Sequence, residues 1–162
     1  MEDKLVGMEK LVSLIEQDRE EIVNQWLKDL ESGEYTQSVG MLWRTTKTHP
    51  VEPGHCCLGV LADQLTKRYP ELVGWAGIDK KLRRRHMLIL GKNSGKLTPI
   101  LWDALGIETP ALNQNVLLVK NDNGMRFQSI ADYIRGTRYA QTLPGESSKS
   151  GDEGMGQVVV AS

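Results

Sequence analysis

The chain lacks the features that would place it in a membrane or on a disulfide scaffold. No apolar run approaches the roughly 20 residues a bilayer-spanning helix needs, so no membrane partner is expected. The opening stretch MEDKLVGMEK mixes acids with isolated apolar residues, and a signal peptide is not expected there. There are two cysteines, Cys56 and Cys57, and they are adjacent. A bond between neighbours would close a badly strained ring. A disulfide framework is thereby excluded, and a reducing, cytoplasmic compartment is expected. Internal repeats are absent. So is the alternation of strand and helix that surrounds a phosphate-binding loop.

What is present fits one ordinary globular domain. The 162 residues are enough to bury a core without metal or disulfide support. The formal net charge is -1, and it is unevenly spread. Residues 1–34 hold ten acids and four bases, residues 35–96 four and eleven, and residues 97–162 seven and five. An acidic first segment beside a basic middle reads as two complementary faces of one domain, or as a basic binding surface with an acidic flank.

Apolar spacing predicts the elements. Leu5, Met8, Leu11, Val12, Ile15, Ile22, Val23, Trp26, Leu27 and Leu30 recur every three or four residues, so residues 3–31 read as helix. Asp18 and Glu21 fit a capping box and predict a break near Gln17, and Ser32-Gly33 ends the segment. Val39 to Trp43 is expected as a short strand and Thr45 to Gly54 as a loop. Cys56 to Tyr69 reads as helix, with Cys57, Val60, Leu61 and Leu65 on one side and Pro70 beyond its end. Arg84 to Leu90 is expected as strand, Gly91 to Gly95 as a turn, and Thr98-Pro99 as the start of a helix. Val116 to Lys120 reads as a short strand. Asn121 to Gly124 reads as a turn rather than a calcium loop, because no bidentate acid follows at the required distance. Phe127, Ile130, Ala131 and Ile134 mark a last helix. The fold class is therefore α+β and mainly helical, with four or five helices and a small sheet of about three short strands; all-α is the alternative. Residues 1–22 are expected as an acidic helical extension, 23–138 as the core, and 139–162 as a flexible tail that ends in Val158-Val159-Val160.

Three stretches invite a chemical reading. Leu90 to Thr98 (LGKNSGKLT) resembles a phosphate loop, but the glycine that should stand five residues before Gly95 is replaced by Leu90, and Leu97 occupies the hydroxyl position. A glycine turn is the better reading. His49, His55, Cys56 and Cys57 include zinc-ligand types, but structural zinc sites use two separated pairs and there is no second pair. Thiols packed in a core are expected instead, so a small-ligand or metal site at residues 55–57 is the last alternative. Lys80, Lys81, Arg83, Arg84, Arg85 and His86, with Trp75 just before them, form the densest basic run. Such a run can hold a phosphate backbone and stack a base, meet an acidic protein surface, or simply solvate an edge strand. Asp132 is expected on the exposed side of its helix, and Trp26, Trp43 and Trp102 in the core.

Four segments, WLKDLESGEY (26–35), CCLGVLAD (56–63), LTPILWDALGI (97–107) and KNDNGMRFQSIADYI (120–134), together resemble a family of small proteins encoded by bacteriophages and prophages. The likeness covers about residues 23–136, and Cys-Cys-Leu-Gly-Val-Leu is its most specific part. His55 stands where that family commonly has an aromatic, and Lys120 where it commonly has leucine. The resemblance supplies no catalytic residues. It implies a viral or prophage setting and a small helical or α+β fold. In that setting the leading expectation is a non-enzymatic accessory protein, with no cofactor, that binds a host protein or assembly, with inhibition of a defence or transcription component as one outcome. Nucleic acid through residues 80–86 is the alternative partner, and the long N-terminal helix leaves a homodimer open.

Overall fold

The computed structural model describes residues 2–45 and 53–142. His49, most of the expected 45–54 loop, and the tail from Leu143 through Ser162 lie outside the described residues. The described chain forms six helices and two small sheets, an α+β fold that is mainly helical.

Two helices open the chain, α1 (Glu2–Gln17) and α2 (Arg19–Glu31), with the break at Asp18 as the spacing predicts. The capping box itself is not made. Asp18 takes no cap bond, and its Oδ2 accepts instead from the Tyr69 hydroxyl at 3.0 Å. Nor is residues 1–22 an appendage: Leu11 and Ile15 are fully buried, and α1 lies along α4. Ser32 caps α2, and Gly33 takes the left-handed turn at φ +79° that glycine permits.

Four two-residue strands form the first sheet, in the order β1-β3-β2-β5. They are β1 (Thr36–Gln37), β2 (Trp43–Arg44), β3 (Gly54–His55) and β5 (Arg84–Arg85). β1 runs parallel to β3; the other pairs are antiparallel. The second sheet is an antiparallel meander of β4 (Val73–Trp75), β6 (Met87–Ile89) and β7 (Lys92–Ser94). The strand expected over Arg84–Leu90 is thus cut at His86, where the chain leaves one sheet for the other. Leu90 and Gly91, at φ +52° and +83°, make the tight two-residue turn that joins β6 to β7. The residues expected as turn therefore include a strand.

Helix α3 (Cys57–Arg68) is central. Seven of its first eight residues are buried, so its burial extends well beyond one apolar stripe. It packs against α2, α5 and β4. Helix α4 (Pro99–Ala104) starts with proline at its first turn, as expected. Val116–Lys120 is not a strand. It lies within α5 (Gln114–Asp122), which Asn113 caps by accepting from the Val116 amide at 3.0 Å. The β-favouring residues mislead there, because Gln114, Leu117 and Asn121 sit at helical spacing on the buried face. Helix α6 (Phe127–Thr142) carries the predicted apolar stripe, leaves Asp132 exposed, and extends four residues into the expected tail. Trp26 and Trp102 meet edge to face in the core at 6.2 Å, and Trp43 is also buried.

The seat of α3 depends on one glycine. A Cβ on Gly59 would fall 1.9 Å from the Leu42 carbonyl oxygen, a backbone atom that cannot swing away. Gly59→Ala is expected to destabilise the protein by roughly 3 kcal/mol or more, the upper range for overpacking. Gly74→Ala, which meets nothing within 4 Å, should cost much less. Urea unfolding of both variants checks the contrast.

Candidate functional site

The basic run divides into an exposed tip and a buried base. Between β4 and β5 the chain turns tightly around Asp79. Its Oδ1 accepts from the amides of Lys81 and Leu82 at 3.0 and 3.1 Å, and its carbonyl accepts from the Arg83 amide at 2.6 Å. Arg83 sits at φ +56°, a strained region for arginine, held there as its carbonyl accepts from the Thr45 amide. The turn thereby projects Ile78 and Leu82, 48% and 50% exposed, beside the exposed Lys80 and Lys81.

Arg84 and Arg85 turn the other way. Arg85 donates from Nε to the Ala76 carbonyl at 2.8 Å, and its guanidinium lies 5.1 Å over the Trp43 ring. Arg84 reaches the Met41 sulfur, and its Nε is buried without a partner. His86 is half-buried where the chain changes sheets, its carbonyl accepting from the Ala76 amide. The stacking role expected of Trp75 does not fit: its Nε1 donates to Asp63 Oδ1 at 3.1 Å, which ties the ring to α3.

That bond belongs to a second cluster. His55, on β3, is 6% exposed, and neither ring nitrogen has a hydrogen-bond partner among the described residues. Its ring meets Tyr35 at 5.1 Å and Trp75 at 6.1 Å, both edge to face. The polar ends of those neighbours converge on one carboxylate. The Tyr35 hydroxyl donates to Asp63 Oδ2 at 2.5 Å, and Lys67 lies 3.1 Å from the same oxygen. Burial works to raise the Asp63 carboxyl, but these bonds hold it below the usual carboxylate range. Burial pushes the Tyr35 phenol up, and the nearby carboxylate adds to this. Burial pushes the His55 imidazole below 6.5, opposed by Asp63 and aided by Lys67. Sequence reasoning missed Tyr35, Asp63 and Lys67. The one local signal was the four-residue spacing of Asp63 and Lys67 on α3.

The cysteines are core groups. Both are fully buried and free. The Cys57 thiol faces the Leu117 carbonyl at 3.7 Å, and the Cys57 carbonyl accepts from Trp26 Nε1 at 2.9 Å. Burial raises the Cys56 thiol to about 11 and lifts Cys57 as well. No three His, Cys, Asp or Glu residues converge for a metal among the described residues. An open cleft of about 560 Å³ borders Cys56, lined by Gly40–Leu42, Asn93–Lys96 and Leu118. It excludes His55 and Cys57 from its walls. Among the described residues no helix is long and apolar enough to cross a membrane.

Three of the ten acids in residues 1–34 pair with arginines of the fold. Glu31 pairs with Arg135, Glu20 with Arg138 and Glu21 with Arg68. Of these three arginines only Arg68 belongs to the basic middle segment, residues 35–96.

A family model described as a domain of unknown function, DUF8296, matches residues 18–138. No curated protein and no solved structure matches the chain.

Two measurements check the site's electrostatics. At pH 8 a thiol held near 11 is about one part in a thousand thiolate, so both cysteines should label slowly in the native protein and fast in denaturant. The folded His55 binds its proton less readily than the unfolded chain does. Its contribution is therefore harmless above about pH 6.5 and destabilising as pH falls below that value. Unfolding free energy should drop through that window, before Asp63 titrates, and His55→Phe should flatten the drop.

Proposed function

The chain belongs to the DUF8296 family, and from that premise we propose that it is a non-enzymatic module that binds a partner protein through the Gly77–Arg83 turn. The observation that carries this reading is the pre-formed tip: two half-exposed aliphatic side chains flanking two exposed lysines on a turn locked by Asp79. Aliphatic anchors beside cations suit a partner surface that is apolar at its centre and acidic at its rim. A turn already held in one conformation loses little entropy on binding. We place the partner in a bacterial host, the setting that the resemblance to phage-encoded proteins implies, with inhibition of a defence or transcription component as the outcome.

Nucleic acid is the weaker reading, on a matter of magnitude. Lys80, Lys81 and the half-buried Arg83 offer about three phosphate contacts, hence a log–log salt slope near -3. Arg84 and Arg85 are turned into the protein, and Trp75 is engaged by Asp63.

Affinity capture from bacterial lysate should retain a specific protein. Ile78→Asp with Leu82→Asp should abolish that capture while leaving the thermal unfolding midpoint within a few degrees of wild type. Lys80→Glu with Lys81→Glu should weaken capture most at low salt. Capture that survives both double variants overturns the proposal. A salt-steep shift of labelled nucleic acid, lost in the lysine variant, moves the reading to a nucleic-acid-binding module.

A further inference from the structure

His55 is the least explained group in the molecule. A buried imidazole with two unpartnered nitrogens forfeits hydrogen bonds that buried polar groups almost always make. Burial disfavours a charge on the ring, and one nearby carboxylate opposes that effect. The aromatic rings of Tyr35 and Trp75 flank it, and the Asp63 carboxylate gathers the polar ends of both. The other charged and titratable groups around it are Lys67 and Tyr35. Beside it, β1 contributes Gln37 at the paired register. One strand over, β2 contributes Arg44, whose guanidinium donates to the Val39 carbonyl.

Protonation would place a cation with two donors in this enclosure, where an unpaired charge is costly. The carboxylate whose field reaches the ring is Asp63, already bound by Tyr35, Trp75 and Lys67. To serve an imidazolium it must release a present donor. Trp75 is the donor whose release has reach. It ends β4, and the next residue, Ala76, begins the path into the Gly77–Arg83 turn. Ala76 also holds that path to the other foot, through its amide to His86 and its carbonyl to Arg85. On the far side, β3 borders β2 and β2 borders β5, the strand that leaves the turn. One foot of the turn therefore adjoins the His55 enclosure through Trp75, and the other is linked to His55 through β2.

We infer that His55 is a proton switch for the Gly77–Arg83 turn: acidification draws Asp63 from Trp75 to the imidazolium and loosens the turn's base. This rests on the proposed binding role of that turn, since it supplies the regulation of that surface. The structural event itself is measurable with no partner present.

The test is residue-resolved amide hydrogen exchange on the full chain at about pH 5 and about pH 7.5, corrected for intrinsic chemistry. The amides of Ala76, Asp79 and Arg83 are each bonded at the base of the turn. In the wild type their protection should fall about tenfold more on acidification than that of α2 and α6 amides. His55→Phe, which keeps a ring between Tyr35 and Trp75, should abolish the excess. Asp63→Asn should also abolish it while His55 still titrates, its ring-proton transition displaced to lower pH by nuclear magnetic resonance. An acid response that persists in His55→Phe overturns the switch. So does a wild-type ring that titrates with no excess loss of protection at the turn, and this readout needs no variant to fold. If lysate capture fails while the exchange pattern holds, the binding role falls and the switch stands.

Discussion

The approach of α3 to the Leu42 carbonyl at Gly59 is the contact on which the rest of the structure depends. It is a backbone-to-helix contact with no room for a methyl group. It sets the chain before β2 directly on the central helix, and β2 in turn holds β3 and β5 on either side. Trp26 locks the other flank by donating to the Cys57 carbonyl. At this seat a glycine meets the neighbouring backbone, and the two thiols just before it in the chain are fully buried. Close packing of this kind tolerates little volume change.

Around this seat the buried polar groups are organised by side-chain amides. Asn121 is fully buried, accepts from the Cys57 amide and from Gln37, and donates to the Ser38 carbonyl. Gln37 also donates to the Met125 carbonyl and accepts from the Phe127 amide. Two amide side chains thus join β1, α3, α5 and α6. Gln114 does the same for Leu97 by bonding both its amide and its carbonyl. Most of the surface ion pairs between α2 and its neighbours are too exposed to matter as much; pairs of that kind contribute about 0–1 kcal/mol each.

Much of the helical architecture was legible from spacing. The break at Asp18, the span of α3, the proline start of α4 and the apolar stripe of α6 all follow from local pattern. The sheets were less legible, because strands of two or three residues are too short to show a period, and because His86 passes the chain between two sheets without any turn residue. Val116 to Lys120 misled for the opposite reason: β-favouring side chains were outvoted by a helical face on which Leu117 is buried with Gln114 and Asn121. For the candidate surfaces, the sequence marked the basic run but could not separate Lys80 and Lys81 from Arg84 and Arg85. Which cations face solvent is decided by the turn around Asp79, which carries Lys80 and Lys81 at its tip, and by the neighbours that β5 meets, Trp43 and Met41.

The sequence by itself determined the α+β class, the burial of the cysteine pair and the absence of a metal-ligand pattern with two separated pairs. Each follows from residue type and local spacing, which are properties of a few adjacent turns of chain. Only the tertiary structure decided that Tyr35, His55, Asp63 and Trp75 share one enclosure, and that Ile78 and Leu82 stand out beside the lysines. Those residues are separated by tens of positions or lie on an irregular turn, and their meeting depends on how α3 is seated. The cysteine pair, which first drew attention as chemistry, marks that seat, while the titratable group with no partner is the histidine beside it.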